Sequence, residues 1–284
     1  MDQDSGPLRI GVIVPLRPKL NRSALRSIVL AMNKEQGMLQ FEFYDPDPEC
    51  PLVMMVSGRN LVDRMKLKEL LPGFVRDLRD DLAARRGWFG LAEDVPERYV
   101  IVSQCIFTDN FFSTRKGSCS VLALGNWRRH MAPPSLFEFV QVLLVREAVA
   151  ALCPSLSGSV HLGTKGCLMD FTPSLSEVRQ KVLAGYICRY CREQMLADGQ
   201  PQLPDVVSSL VDRQWLGSPA DPRTPAGVAA NLGVNLFVVK GLRATAYEKI
   251  LTTLREESIK QVAVAAGLVL AAAAIVLLGI KSGG

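Results

Sequence analysis

The chain has 284 residues, 48% of them hydrophobic and 21% charged, which is enough for one large domain or two small ones with a buried core. Its formal net charge of +5 is too small to indicate a nucleic-acid-binding protein, so we expect no nucleic-acid partner. The first residues are acidic and precede only a short apolar run, which argues against a secretory signal peptide. In such a chain, the seven cysteines favour metal ligands and buried thiols over disulfides.

The first half of the chain alternates predicted strands with predicted helices. Strands are predicted where β-branched or alternating apolar residues occur, at residues 8–16, Leu39–Tyr44, Arg98–Ser103 and 118–124. A helix is predicted at residues 23–33 with Ser23 as its cap, and two more within residues 61–86, divided by Pro72-Gly73. Loops are predicted at residues 45–51 and 107–117. The alternation predicts an α/β (α+β) domain with a mixed sheet.

The second half of the chain is predicted to be mainly helical. Leu136–Leu152 is an apolar segment of helical length without glycine or proline, and it is followed by a loop of small residues. Further helices are predicted at residues 174–184, 205–215, 225–232 and 245–260. The last three form a small helical extension, which a linker at residues 198–204 separates from the rest of the chain.

Four side chains form a candidate metal site. Cys188 and Cys191 have the two-residue spacing with which a pair of thiolates can bind one tetrahedral Zn²⁺. The same pair also fits two incidental cysteines at a helix start. His161 and Cys167 complete a closed set of four ligands, with Cys153 as the alternative to His161. A closed set leaves no position for water, so the predicted zinc is structural.

The same region resembles a known family. Cys167-Leu168-Met169 matches the Cys-x-Met element of archaemetzincin-type metallopeptidases, and Cys188 and Cys191 match the closing cysteine pair of their zinc site. His161 stands near the place of the first cysteine of that site. The resemblance covers roughly residues 8–195 and implies a metzincin-like domain, with the metal ligands His161, Cys167, Cys188 and Cys191.

The catalytic motif of that family is missing. A zincin helix needs two histidines four residues apart and a glutamate beside the first, so that both imidazoles reach one metal. Glu147 is present, but Arg146 and Ala150 occupy the two histidine positions. The chain has only two histidines, His130 and His161. Without a metal-activated water, Glu147 has nothing to deprotonate. The sequence therefore predicts no catalytic residues, no further cofactor site and no enzymatic activity.

A long apolar segment lies near the C-terminus of the sequence. Residues 262–280 contain no charge and would extend about 28 Å as a helix, close to the thickness of the bilayer hydrocarbon. Lys249, Arg255 and Lys260 precede the segment, and Lys281 follows it. The larger number of cations before the segment predicts a single-pass tail anchor with the main domain in the cytoplasm.

These observations predict three regions. They are an inactive metallopeptidase-like domain at residues 1–197, a helical juxtamembrane module at 198–260 and a transmembrane helix at 261–281. The predicted function is that of a membrane-anchored sensor, scaffold or membrane-disrupting effector, which binds a protein partner or itself, with antiviral defence as a candidate role. Two alternatives stay open: a membrane-tethered peptidase with a non-standard site built on Glu147 and a cysteine, and a simple adaptor for a cytosolic partner.

Overall fold

The computed structural model describes residues 6–15, 21–127, 131–158, 161–234, 236, 250, 254 and 261. The chain divides into two compact units, residues 1–237 and 238–284. Every helix and strand given below lies in the first unit. The three-region division at residues 197 and 260 stays a prediction.

The centre of the first unit is a mixed five-stranded sheet. The strands are β1 (Leu8–Ile13), β2 (Leu39–Tyr44), β3 (Leu61–Val62), β4 (Arg98–Ser103), β5 (Ile106–Phe107), β6 (Ser113–Lys116) and β7 (Cys119–Ala123). The order in the sheet is β2-β1-β4-β7-β6, and all neighbours are parallel except β6, which is antiparallel to β7. A separate short pair joins β3 to β5 in parallel. The predicted mixed sheet is confirmed.

Helices cover both faces of this sheet. They are α1 (Arg22–Glu35), α2 (Pro51–Val56), α3 (Arg64–Phe89), α4 (Leu136–Leu152), α5 (Leu175–Ala184), α6 (Arg189–Ala197), α7 (Leu203–Val211) and α8 (Pro225–Asn231). In β4, Val100 and Val102 join the core shared with α1 and α4–α8. The alternate residues Tyr99 and Ile101 join the core shared with α2 and α3. The period of two along a strand thus produces two cores, one on each face.

Helix α4 is the central element of the larger core. It begins with a capping box, in which the Ser135 hydroxyl accepts from the Glu138 N–H and the Glu138 carboxylate accepts from the Ser135 N–H. Nearly all of its side chains are buried, because α4 contacts β1 and β4 on one side and α5 and α7 on another. The apolar composition that predicted this helix therefore reflects burial within the protein, and both predicted ends agree with the structure.

The region before β4 differs from the prediction. Residues 64–89 form one helix with Pro72 inside it, where the sequence predicted two. A proline removes one backbone hydrogen bond, but the helix continues because Leu67, Leu71 and Phe74 bury a common face on both sides of Pro72. Strand β6 forms within the loop predicted at 107–117 and pairs with β7 across a two-residue turn. Helix α2 forms where the sequence predicted no helix. Strand β3 replaces the start of a predicted helix because Leu61 pairs with Ile106, a distant partner that a local pattern does not reveal.

The predicted membrane helix is the remaining element of the predicted fold. Across the part of the chain that the structure describes, no helix combines the length and the apolar character needed to cross a bilayer. Residues 262–280, to which the prediction refers, lie outside the described residues. Most of the predicted helix at 245–260 lies outside them as well.

Candidate metal centre

The four predicted ligands come from two segments on either side of α5. His161 and Cys167 lie in the loop after α4, where His161 forms an isolated parallel bridge with Asp170 and Cys167 one with Tyr186. Cys188 is the N-cap residue of α6 and Cys191 lies in its first turn, so the start of this helix fixes the relative position of their sulfurs. All four side chains are buried.

The geometry of this cluster fits a zinc ion. One candidate ligand atom from each of the four residues lies within 4.8 Å of every other. The Nε2 atom of His161 is 3.2 Å from Cys191 Sγ and 3.1 Å from Cys188 Sγ, and Cys167 Sγ is 3.8 Å from Cys191 Sγ. Zn–S bonds of about 2.3 Å at tetrahedral angles place two sulfurs about 3.8 Å apart. The residues therefore form a group that can hold a metal ion, and their donor set is typical of structural zinc.

A second layer of contacts holds the loop that carries Cys167. The Asp170 carboxylate accepts hydrogen bonds from the Lys165 and Cys167 N–H groups at 2.6 and 3.1 Å. Lys181 of α5, which is almost fully buried, donates from Nζ to the Asp170 carbonyl at 2.6 Å. Such contacts orient metal ligands and fix the loop before an ion binds. The edge of the Tyr190 ring lies against the His161 imidazole, with their centroids 5.9 Å apart.

The electrostatics of the cluster favour a thiolate at Cys167. Its hydrogen bond with Cys191 lowers the pKa of the Cys167 thiol to about 5, outweighing the opposing effect of burial. A thiolate is the form that binds zinc. Burial also lowers the pKa of Lys181, with Arg146 adding to the shift, to about 7. Burial and the nearby Arg146 thus disfavour the ammonium form of Lys181, whose Nζ can donate to the Asp170 carbonyl in either form.

The structure brings together the four residues predicted from the sequence and leaves the alternative outside. Cys153 is buried at the end of α4 and does not belong to the group of side chains around His161. Burial raises the pKa of the Cys153 thiol to about 11, and Asp198 adds to the shift. Among the described residues, no second group of three or more His, Cys, Asp or Glu side chains comes close enough to hold an ion.

The environment of Glu147 differs from that expected of an ordinary surface charge. The carboxylate is buried, and both of its oxygens have partners. The Ser120 hydroxyl donates to Oε2 at 2.6 Å, and the Arg115 guanidinium donates to the same oxygen. Arg146 donates to Oε1 at 2.7 Å. The residue in the first histidine position of the family motif thus pairs with the glutamate beside it.

These partners keep Glu147 ionised. Burial alone would raise its pKa, but Arg146 and Arg115, together with the hydrogen bond from Ser120, lower the pKa below the ordinary value. A carboxylate of this kind is a weak base, and its oxygens are already occupied. In this arrangement, Glu147 connects α4 to β6 and β7.

Sequence reasoning missed Arg115 and Ser120 as partners of Glu147. Arg115 lies in a segment predicted to be a loop, and Ser120 in a predicted strand with no assigned partner. They meet Glu147 only because β6 pairs with β7 next to α4, with Arg115 opposite Ser120 in the register. The sequence signal for this pairing is Gly117, which has a positive φ of 57° in the two-residue turn between β6 and β7.

Comparison with other proteins gives similarity in fold alone. The chain matches no protein-family model and no curated protein sequence. Solved structures with a similar fold include an archaemetzincin from Methanopyrus kandleri, at 15% identity and a TM-score of 0.39, covering 68% of this chain and 96% of that one. A zinc-dependent peptidase from Methanocorpusculum labreanum has 16% identity and a TM-score of 0.39, with 66% and 99% covered. An archaemetzincin from Archaeoglobus fulgidus has 14% identity and a TM-score of 0.36, with 66% and 99% covered.

These similarities bear on two predictions from the sequence. The predicted α/β fold agrees with the sheet and helices of the structure, and the solved structures to which this chain is similar are two archaemetzincins and a zinc-dependent peptidase. The prediction that the protein is not an enzyme is contradicted, because the chains of similar fold are zinc peptidases, and we withdraw it. The absence of a zincin motif on α4 remains a fact of the sequence.

Proposed function

We propose that this protein is a zinc-binding protein, in which one Zn²⁺ at the Cys/His cluster fastens the C-terminal half of a metallopeptidase-like domain. The observation that carries the proposal is the convergence of His161, Cys167, Cys188 and Cys191 at the spacing of a tetrahedral site. All four positions around the ion are taken by protein atoms. The ion would therefore act on folding, and a water molecule would have no place on it.

The position of the cluster explains what the ion contributes. Its ligands precede and follow α5, so one ion ties the loop after α4 to the start of α6. Helix α6 packs against α7, which in turn packs against α4. Zinc at this point would hold the helical half of the fold together, since the apolar contacts of the short helices α5 and α6 are modest.

Metal analysis of the purified protein tests this proposal. We expect about one zinc per chain, because the structure offers one closed four-ligand site within its described residues. The matched control is His161→Cys, which keeps four ligands and should retain the metal, beside His161→Ala, which removes one and should lose most of it. A protein that contains no zinc when purified, and does not bind it when zinc is added, would contradict the proposal.

We also propose that residues 262–280 attach the domain to a membrane. Support for this comes from the sequence, because this segment is uncharged, long enough to cross the hydrocarbon region and flanked by Lys260 and Lys281. The attached domain would then act on or with partners at the membrane surface. Self-association and a role in antiviral defence remain predictions from the sequence.

Fractionation of cells that express the full chain tests the attachment. We expect the chain in the membrane fraction, resistant to alkaline carbonate and released by detergent. Replacing Leu268 and Leu270 with lysine should release it, because charges near the centre of a spanning helix cost several kcal/mol of insertion free energy, about 2.5–3.5 kcal/mol each. Isoleucine at the same two positions is the matched control and should leave the chain in the membrane. If alkaline carbonate releases the wild-type chain into the soluble fraction, the proposed attachment is ruled out.

A further inference from the structure

The C-terminal end of α3 carries an unusual group of exposed apolar side chains. The exposed fractions are 84% for Trp88, 73% for Phe89 and 58% for Leu91. Gly90 ends the helix in the left-handed conformation at φ 62°, which turns the chain between Phe89 and Leu91. We call these three side chains the α3 tip. Large apolar side chains are normally buried in the core, so two exposed aromatic rings and a leucine at one helix end are unfavourable in water and indicate a contact surface.

The size of the α3 tip argues against a stable contact with a second copy of the chain. Stable dimers bury roughly 800 Å² per partner in well-packed patches. Three side chains around one helix end cover well below that area. The tip is also flanked on α3 by acidic and basic residues, among them Arg85 paired with Asp81 and Arg86 paired with Asp94, so an extended apolar interface does not continue from it.

The chemistry of the α3 tip matches the headgroup region of a bilayer. Tryptophan concentrates at membrane–water interfaces, where an apolar ring is accommodated beside polar groups. Tryptophan, phenylalanine and leucine also form the apolar face of segments that lie in the interface. The neighbouring arginines are satisfied by aspartates, so contact with the bilayer needs no anionic lipid. A membrane-attached chain also keeps its domain at a high effective concentration near the bilayer, so a small insertion surface is enough.

We propose that the α3 tip inserts into the interfacial region of the membrane, giving the domain a second point of contact with the bilayer. This inference rests on the proposed membrane attachment through residues 262–280. Two contacts restrict the rotation of the domain and hold one face of it toward the lipid. The partner is therefore a lipid surface of any headgroup charge, recognised through Trp88, Phe89 and Leu91.

Tryptophan fluorescence of the full chain tests whether the α3 tip inserts into the membrane. The chain is reconstituted into phosphatidylcholine vesicles with and without bromine on the acyl chains near the headgroup, because bromine quenches a tryptophan only at close range. We expect a loss of emission with the brominated lipid that disappears in Trp88→Ser. The loss should persist in Trp215→Phe, because Trp215 is half-buried and hydrogen-bonded to the Leu210 carbonyl. Quenching should be equal in low and high salt.

The outcomes separate this inference from the attachment itself. If the chain floats with the vesicles but Trp88 emission is not quenched, the proposed insertion of the α3 tip is wrong and the membrane attachment is unaffected. A chain that does not float would overturn both. A second exposed apolar set, Met54, Leu61 and Met65, provides the matched control: serine at these positions should leave the quenching of Trp88 unchanged. Cross-linked dimers that vanish in Trp88→Ser would show a second copy as the partner, and would also overturn the proposal.

Discussion

Replacing Cys191 with alanine should lower the melting temperature of the protein by more than about 10 °C. The Cys191 sulfur is close to His161 and to Cys167, so its loss removes a ligand from the interior of the cluster. Structural zinc contributes its binding free energy to folding. In a domain of this size, each kcal/mol lost lowers the melting temperature by about 2–4 °C, so losing several kcal/mol gives the stated shift. Calorimetry with parallel metal analysis is the measurement.

A buried cysteine outside the cluster provides the control. Cys105→Ala removes the same atom from an apolar site and should cost only about 1–2 kcal/mol in the free energy of unfolding, with full zinc content. A strong chelator should lower the melting temperature of the wild type to that of Cys191→Ala and leave Cys191→Ala unchanged. Equal melting temperatures for Cys191→Ala and Cys105→Ala would show that the cluster does not hold a structural ion.

Glu147→Gln should reduce the free energy of unfolding by about 3 kcal/mol. The substitution keeps the shape of the side chain and removes the charge that Arg115 and Arg146 share, and breaking a buried ion pair from one side costs about 3–5 kcal/mol. The expected 3 kcal/mol is at the lower end of this range because the Arg115 side chain is 26% exposed, so water solvates part of its charge. Chemical denaturation at neutral pH measures the change. Arg115→Met in the Glu147→Gln background should restore part of the loss, since it removes the uncompensated cation.

The same network predicts a pH dependence with a defined sign. The folded-state pKa of Glu147 lies below its ordinary value of 4.5. The network therefore stabilises the folded state fully above that pH. This stabilisation is lost as the pH falls through the folded-state pKa of Glu147. Glu147→Gln should lack this part of the acid dependence.

An exposed ion pair serves as the reference for Glu147. Glu193→Gln breaks the pair with Arg189, in which both side chains are more than half exposed, and should cost less than about 0.5 kcal/mol. An assay for peptidase activity on the wild type and on Glu147→Gln, run beside the stability measurement, completes the experiment. Loss of a peptidase activity in Glu147→Gln without loss of stability would show that this carboxylate acts in catalysis and that the ion-pair network is not its role.

The elements predicted best from the sequence are those set by local pattern. Helix α4 matched its predicted ends because a long apolar run that begins with a capping box leaves few alternatives. The metal ligands could be predicted because His161 and Cys167 complete a set of four with the closely spaced Cys188 and Cys191. The sequence also predicted β2 and β4 at their observed ends.

The differences from the prediction come from contacts that a local pattern does not contain. Pro72 was expected to divide α3, but the helix continues because it buries apolar side chains on both sides of Pro72. Arg115 was predicted in a loop, but it lies in the β6–β7 hairpin and contacts Glu147, 32 residues further along the chain. The burial of Glu147 followed from the same pairing. Local propensity contains none of this information, since the free energy comes from tertiary contacts.

The second layer around the metal has a consequence for the order in which the fold assembles. The Asp170 carboxylate accepts hydrogen bonds from two backbone N–H groups of its own loop, and the Asp170 carbonyl accepts one from Lys181 Nζ. These hydrogen bonds form without an ion. The loop that carries Cys167 therefore adopts its conformation as soon as α5 docks. Zinc would then bind to ligands that are mostly in place already, and its binding would cost little conformational entropy. Metal release should therefore leave the hydrogen bonds between the Cys167 loop and α5 in place.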